Sequence, residues 1–120
     1  MTLIMPLLSP YGRGETSPGA PRSQLVSFTA ERSGDAVILN WRTISETNNY
    51  GFWVVRDLNE VPNSFIPGHG TTLEPQDYTY TDHPSYKAHA YRLKQVDLDG
   101  TVTYSEAVLV MANAGNATTQ

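Results

Sequence analysis

Few residues of this sequence are of types that catalyse reactions or bind metals. It has three histidines, His69, His83 and His89, and their spacing follows no metal-binding pattern such as H-E-x-x-H. His69 lies in a glycine-rich stretch, and His83 directly precedes a proline. We interpret all three as ordinary loop and surface residues, so the sequence predicts no metal site.

Two acidic patterns could bind calcium or cleave a glycosidic bond. Asp97-x-Asp99-Gly100 is similar to the start of a calcium loop, but an EF-hand needs glycine at its sixth position and glutamate at its twelfth. Glycine is the fourth residue of this pattern, so we predict a tight turn. Glu46 and Asp57 flank one loop region, yet glycoside cleavage needs two carboxyl groups about 5–10 Å apart in a cleft, which small β-domains seldom have.

No motif for nucleophilic catalysis is present. Serine, histidine and aspartate all occur, so composition alone leaves a catalytic triad open, but the sequence has no G-x-S-x-G nucleophile elbow. The absence of cysteine excludes a disulfide, a thiolate metal site and a cysteine nucleophile. We therefore expect a protein that is not an enzyme and that needs no cofactor.

Length and charge exclude further classes. The 120 residues are enough for one domain with its own core. Eight Lys and Arg stand against twelve Asp and Glu, with no basic run, which excludes the electrostatic footprint of a nucleic-acid-binding protein. No apolar run approaches the ~18 residues needed to span a bilayer. The expected partners therefore include neither nucleic acid nor a membrane interior.

The first 22 residues differ in composition from the rest of the chain. They contain four of the eight prolines and three of the nine glycines, and their only aromatic residue is Tyr11. We predict an extension outside the domain. Its apolar start, residues 2–8, does not fit a secretion signal, because Pro6 interrupts it and the first basic residue is Arg13. Either no signal exists, or one was removed before this numbering begins.

From Ser23 onward, short alternating segments separated by turn residues at intervals of roughly 8–15 residues are typical of an all-β domain. We predict seven strands: one around Leu25 and Phe28, then residues 36–43, 50–56, a short edge strand at 63–66, one around Tyr78 and Tyr80, 88–96 and 101–111. Residues 45–49 are predicted to form a polar loop, and residues 67–70 to break the edge strand. No window shows a helical period.

Seven strands in about 90 residues predict two antiparallel sheets packed face to face. The predicted core consists of the inward-facing residues Val37, Leu39, Trp41, Phe52, Val54, Tyr91 and Leu93. Tyr91 is also well placed to tie its strand to the preceding loop through its hydroxyl group. The chain divides into an extended N-terminal arm (1–22), a β-sandwich (23–111) and a polar C-terminal tail (112–120).

Several motifs of this domain, in the same order along the chain, resemble one family. They are Trp41-x-Thr43-x-Ser45-Glu46-x-Asn48-Asn49-x-Gly51-Phe52, then Arg56, then Tyr91-Arg92-Leu93-Lys94-Gln95-Val96-Asp97-x-Asp99-Gly100, then Tyr104-Ser105. Across residues 24–110 the chain resembles the fibronectin-type-III-like modules of secreted bacterial surface proteins and hydrolases, which often precede a C-terminal secretion-sorting domain. The resemblance implies an immunoglobulin/fibronectin-III-like sandwich, an extracellular or cell-surface location and a spacer, scaffold or adhesion role, without a catalytic residue.

The sequence departs from this family in two places. Only ten residues follow Val110, which is too few for a sorting domain. Trp53 and Val55 occupy outward positions of the third predicted strand, where the family alternates apolar with charged residues. For Trp53 three explanations stay open: a loop or the arm covers it, another protein contacts it, or it forms a platform for a sugar ring. Several tyrosines could extend such a platform, namely Tyr50, Tyr78, Tyr80 and Tyr104.

These observations predict a non-enzymatic extracellular structural module that assembles with copies of itself into a filament or another homopolymer. The residues expected at the contact are Leu3, Ile4, Leu7 and Leu8 of the arm together with Trp53 and Val55 of an apolar outer sheet face. The alternative is a spacer or carbohydrate-binding accessory domain of a larger secreted enzyme or adhesin, with surface polysaccharide as its partner.

Overall fold

The computed structural model describes residues 23–113, which form eight antiparallel strands and no helix. The strands are β1 (Gln24–Ser33), β2 (Ala36–Arg56), β3 (Asn59–Glu60), β4 (Ile66–Thr72), β5 (Gln76–Asp82), β6 (His89–Asp97), β7 (Val102–Tyr104) and β8 (Val108–Val110). The predicted all-β class is confirmed, whereas the described residues form eight strands and not seven. Over this range no helix is long and apolar enough to cross a membrane.

Two predicted segments fall wholly or mostly outside the described range. The predicted arm, with Leu3, Ile4, Leu7 and Leu8, precedes the first described residue, Ser23. Residues 114–120 of the predicted tail follow the last one. The predictions for these residues therefore stay predictions.

β2 organises the sheet because it pairs with five other strands. Its first half lies between β1 and β5, with Trp41 opposite Phe28 on one side and Tyr78 on the other. Its second half pairs with β6 and with the short strands β3 and β4. Between the halves, the register shifts on both sides of Asn49, and Asn48 has a φ of 51°. Irregularities of this kind bend a strand and increase its twist, so the sheet curls.

The polar loop predicted at residues 45–49 is wrong, because these residues continue β2. Glu46 pairs with Thr72 and Asn49 pairs with Gly70 in the strand ladder. The side chains of Glu46 and Asn49 are buried and hydrogen-bond to each other at 3.0 Å. A run of polar residues can therefore form a buried strand when its side chains satisfy one another.

Two other strand boundaries differ from the sequence prediction. The edge strand predicted at residues 63–66 is wrong for residues 63–65, because β4 begins at Ile66 and continues through the segment 67–70 that was predicted to break it. Pro67 is tolerated there because β4 pairs with β2 alone among the described strands and is thus an edge strand. The single strand predicted at residues 101–111 is divided into β7 and β8. The division occurs at Ser105, whose hydroxyl accepts the Leu93 N–H at 2.8 Å and so replaces a backbone acceptor of the ladder.

All seven predicted core residues are buried, so the predicted core is confirmed. Trp41 lies at its centre, with its ring centroid 6.3 Å from that of Phe28 in β1. The centroids of Phe52 and Tyr78 lie 5.5 Å and 5.6 Å from it. The ring thus contacts strands from both halves of the curled sheet.

The Tyr91 hydroxyl ties β6 to the end of β5, where the preceding loop begins. It donates a hydrogen bond of 2.6 Å to Asp82 Oδ2, and Asp82 is the last residue of β5. Arg56 Nη1 donates to the same carboxylate at 2.6 Å and 2.8 Å. Burial, aided by the bond to Asp82, raises the pKa of Tyr91 far above its ordinary value, so the hydroxyl stays protonated and keeps donating.

Candidate functional site

The outer face of the second half of the sheet carries the two contact residues predicted in the domain. The alternation of β2 points Phe52 and Val54 into the core, so Trp53 and Val55 point the opposite way. β6 and β7 extend this face sideways, because paired residues of adjacent strands lie on the same side of a sheet. We define the outer face as Trp53, Val55, Arg92, Lys94, Val96, Val102 and Tyr104.

Trp53 is half-buried because an aromatic side chain packs on it. Its ring centroid lies 5.3 Å from that of Phe65, which belongs to the segment between β3 and β4. Phe65 in turn lies 5.0 Å from the ring of Tyr50, which is 54 % exposed. A segment of the same chain therefore covers part of Trp53, and Tyr50 extends the aromatic cluster to the solvent.

Val55 is only 6 % exposed, so the chain itself covers this predicted contact residue. Its ladder partner Glu60 forms an ion pair with Lys94, with 2.6 Å between Oε2 and Nζ. The hydrogen bond with Glu60 raises the pKa of Lys94 above its ordinary value. Both side chains of the pair are partly exposed, which makes it a solvent-screened contact of small energetic value.

The apolar residues that solvent can reach on this side are neighbours of Val55. Val55, Leu58, Arg92 and Tyr104 line an open pocket of about 310 Å³. Leu58 is 82 % exposed and Tyr104 is 37 % exposed. Val102 precedes Tyr104 by two residues in β7 and is 41 % exposed. An apolar patch beside Arg92 is thus accessible next to the two predicted residues.

Glu46 is a buried carboxylate that lies in β2 and not in the predicted loop. Its Oε1 accepts hydrogen bonds from Asn49 Nδ2 at 3.0 Å and from the His69 N–H at 2.9 Å. Its Oε2 accepts one from Thr43 Oγ1 at 2.8 Å and a short one from the Tyr78 hydroxyl. Because the Tyr78 proton goes to Glu46, the phenol oxygen accepts from His69 Nδ1 at 2.7 Å.

The environment of Glu46 keeps it ionised. Burial acts to raise the pKa of Glu46, but the four hydrogen bonds, that of Tyr78 first among them, outweigh burial and leave the pKa below its ordinary value. Burial and the same bond raise the pKa of Tyr78 far above its ordinary value. With both carboxylate oxygens occupied by internal donors, Glu46 holds β2, β4 and β5 together and is not free to act as an acid or base.

Ser85, His89 and Asp57 approach one another in the order of a hydrolase triad. His89 Nδ1 lies 2.5 Å from Asp57 Oδ2, and His89 Nε2 lies 3.1 Å from Ser85 Oγ. The Ser85 carbonyl oxygen is also 3.1 Å from Nε2, and the Lys87 N–H points to Ser85 Oγ at 3.4 Å. The contacts therefore fasten the loop before β6.

Asp57 completes this attachment from the turn after β2. Its Oδ1 accepts the Ala90 N–H at 2.9 Å, and its own N–H donates to the Ala90 carbonyl at 2.9 Å. Burial acts to raise the pKa of Asp57, but the bonds from Ala90 and His89 outweigh it and lower the pKa. No sequence pattern indicates this contact, because Asp57 and His89 are 32 residues apart.

The remaining candidate residues lie apart from one another. Thr101 donates its N–H to Asp99 Oδ1 at 2.9 Å, and Gly100 has a φ of 90°, so the predicted tight turn is confirmed. Glu46 and Asp57 are each bonded within separate clusters. Within residues 23–113, no group of three or more His, Cys, Asp or Glu is arranged to hold a metal ion.

Comparisons with known proteins leave the family open. No protein-family model matches the chain, and searches of curated proteins and of solved structures found no match either. The resemblance to fibronectin-type-III-like modules therefore stays a prediction from the motifs.

Proposed function

We propose that this protein is a non-enzymatic structural module of the extracellular space or cell surface that assembles with copies of itself. The contact is formed by the outer face and by the arm residues Leu3, Ile4, Leu7 and Leu8. The observation that carries the proposal is the accessible apolar patch of Leu58, Val102 and Tyr104. Leu58 and Tyr104 line one open pocket, and exposed apolar residues that are grouped in this way mark interaction sites on soluble domains.

The fold that we propose for the module is an immunoglobulin/fibronectin-III-like sandwich. Its support is that the two halves of β2 pair with different sets of strands, β1 and β5 in one case and β6 in the other. Phe28 of β1 and Phe52 of the second half both pack against Trp41. Two layers of one curled sheet that share a core of this kind are the arrangement of a β-sandwich.

Charge favours a second copy as the partner of the outer face. Arg92 and Lys94 lie beside the apolar patch, and Glu60 lies across the ladder from Val55. A face that carries both signs around an apolar centre can be complementary to another surface of the same chain. The internal hydrogen bonds of Glu46 support the non-enzymatic part of the proposal, because donors of the same domain occupy both of its carboxylate oxygens.

The test is the double substitution Val102→Glu with Tyr104→Glu. Both side chains are well exposed, and Lys94 lies beside Tyr104, so the fold should tolerate the new charges. We expect an unchanged circular dichroism spectrum and a loss of self-association, measured by light scattering coupled to size-exclusion chromatography. The matched control, Val102→Ile with Tyr104→Phe, keeps the face apolar and should associate like the parent. Equal association of the charged and control proteins would contradict a role for this face.

A carbohydrate-binding accessory domain remains the second candidate, because Tyr50, Phe65 and Trp53 form one aromatic cluster with an exposed end. Sugar rings stack on exposed aromatic faces. Sedimentation of the protein with insoluble cellulose or chitin, abolished by Tyr50→Ala, would favour this function. The charged double variant above should leave such binding intact, which separates the two candidates.

A further inference from the structure

A groove of about 370 Å³ lies between the start of β6 and the end of β8. Its lining is mostly apolar and includes Ala88, Ala90, Leu109, Val110 and Met111, together with the hydrogen-bonded pair of Asp57 and His89. Leu109 is 52 % exposed and Met111 is 56 % exposed. The volume is within the range of about 300–1,000 Å³ that is usual for sites that bind a ligand of moderate size.

Hydrogen bonds fix both walls of the groove to the end of β1. Arg32 Nη2 donates to the Lys87 carbonyl at 2.9 Å, and Arg32 Nε donates to the Met111 carbonyl at 3.2 Å. The Asn113 N–H donates to the Tyr86 carbonyl at 2.7 Å. Walls that are fixed before binding lose little conformational entropy when an apolar segment enters.

The groove and the start of the described domain lie at opposite ends of β1. Ser23, immediately before β1, receives the Thr47 N–H at 2.9 Å, and Gln24 pairs with Ser45. Arg32, beside the groove, is near the other end of this strand. β1 has ten residues, so at about 3.3 Å per residue the two ends are roughly 30 Å apart. The chain before Ser23 therefore joins the domain at the end that is remote from the groove.

The sequence before Ser23 has a suitable occupant and a sufficient linker. Residues 2–8 include Leu3, Ile4, Leu7 and Leu8, and residues 9–22 separate them from Ser23. Those 14 residues span at most about 46–50 Å when extended. To reach the groove of its own domain, the linker would have to turn back at Ser23 and run along the whole of β1. That distance of roughly 30 Å is more than half of the maximal length of the linker. In a head-to-tail neighbour, the groove end of one copy faces the Ser23 end of the next.

We infer that the β6–β8 groove binds the apolar segment of residues 3–8 of a neighbouring copy. This inference rests on the proposed self-assembly, in which the outer face also takes part, and it names the surface of the neighbouring copy that the arm contacts. Side chains of the segment fill the groove, and Pro6 disfavours the alternative of a strand added to a sheet edge, because it lacks an N–H. Since arm and groove are different surfaces of each copy, the contact repeats and yields a filament, or a ring if the rotation closes.

Two complementary variants test the inference. One lacks residues 1–22 and keeps the groove, and the other carries Leu109→Glu with Met111→Glu and keeps the arm. Each variant alone should be a folded monomer, because it has only one half of the contact between arm and groove and the outer face is not expected to hold two copies together without that contact. A mixture should give a 1:1 heterodimer that does not grow further, measured by light scattering and by co-elution of a fluorescently labelled truncated variant.

The controls separate failure of the groove from failure of self-assembly. Leu109→Met with Met111→Leu keeps the lining apolar at nearly constant volume and should assemble like the parent. Assembly by the Leu109→Glu, Met111→Glu protein, or two complementary variants that stay separate while the parent assembles, would overturn the groove and leave the proposed function standing. A parent that stays monomeric at all concentrations would overturn the proposed self-assembly itself.

Discussion

Trp41 stabilises the domain through packing alone. Its ring contacts Phe28, Phe52 and Tyr78, and it is 1 % exposed. Its buried Nε1 has no hydrogen-bond partner among the described residues. An unpaired buried donor costs free energy, so the aromatic contacts must outweigh that cost.

We predict that Trp41→Ala lowers the free energy of unfolding by about 3–5 kcal/mol, as large aromatic deletions in cores do. Trp41→Phe should cost much less, because it keeps a ring and also removes the unpaired N–H. Urea titrations of both variants measure the difference. A melting temperature of Trp41→Ala within a degree or two of the parent would remove Trp41 from the centre of the core.

At the scale of elements, the alternation of apolar and polar residues predicts strands that have one buried face and one exposed face. It places Val37, Leu39 and Trp41 on one face of β2, and the structure buries all three. It does not predict that β2 is continuous, because the polar residues in its middle are satisfied from far along the chain. Glu46 receives hydrogen bonds from His69 and Tyr78, which are 23 and 32 residues away.

The candidate site was also predictable only in part from the sequence. Alternation indicates which way Trp53 and Val55 point. It does not indicate what covers these side chains. Phe65, which packs on Trp53, lies between β3 and β4, and Glu60, which pairs with Val55, lies in the two-residue strand β3, which no pattern predicts. The groove between β6 and β8 also depends on long-range contacts, such as those of Arg32 with Met111, 79 residues away.

The close approach of Phe65 and Ile66 to β2 requires a glycine at position 51. A Cβ atom at Gly51 would approach both the Phe65 ring and the Ile66 carbonyl oxygen more closely than van der Waals contact allows. We predict that Gly51→Ala costs about 1–3 kcal/mol, as overpacking does. Adding Phe65→Ala should recover only part of the melting temperature lost to this clash, because the Ile66 backbone remains. A Gly51→Ala protein that melts like the parent would show that the connection between β3 and β4 moves freely.

For the molecule as a whole, ionised carboxylates hold the domain at both ends of the curled sheet. Glu46 joins β2, β4 and β5 near the end where β1 begins, and Asp57 joins the turn after β2 to β6 near the groove. The pKa of each group is lowered in the folded protein. Such a carboxylate stabilises the folded protein at pH values above its unfolded-state pKa, which is about 3.9 for Asp and about 4.3 for Glu. This stabilisation is lost as the pH falls through the folded-state pKa.

We therefore predict that the free energy of unfolding decreases from pH 5 to pH 3 and that Glu46→Gln flattens this decrease. At pH 7 the free energy of unfolding of the variant should be lower than that of the parent by about 1–3 kcal/mol. The reason is that the new amide carries an N–H donor at a position where all four surrounding groups already donate to the carboxylate. The gap should narrow on acidification, because protonation removes the same acceptor from the parent. Glu31→Gln, at an exposed position of β1, is the matched control and should follow the parent at every pH. Urea titrations at pH 7, 5, 4 and 3 measure the three curves, and a gap between parent and Glu46→Gln that stays constant would mean that Glu46 does not contribute to acid unfolding.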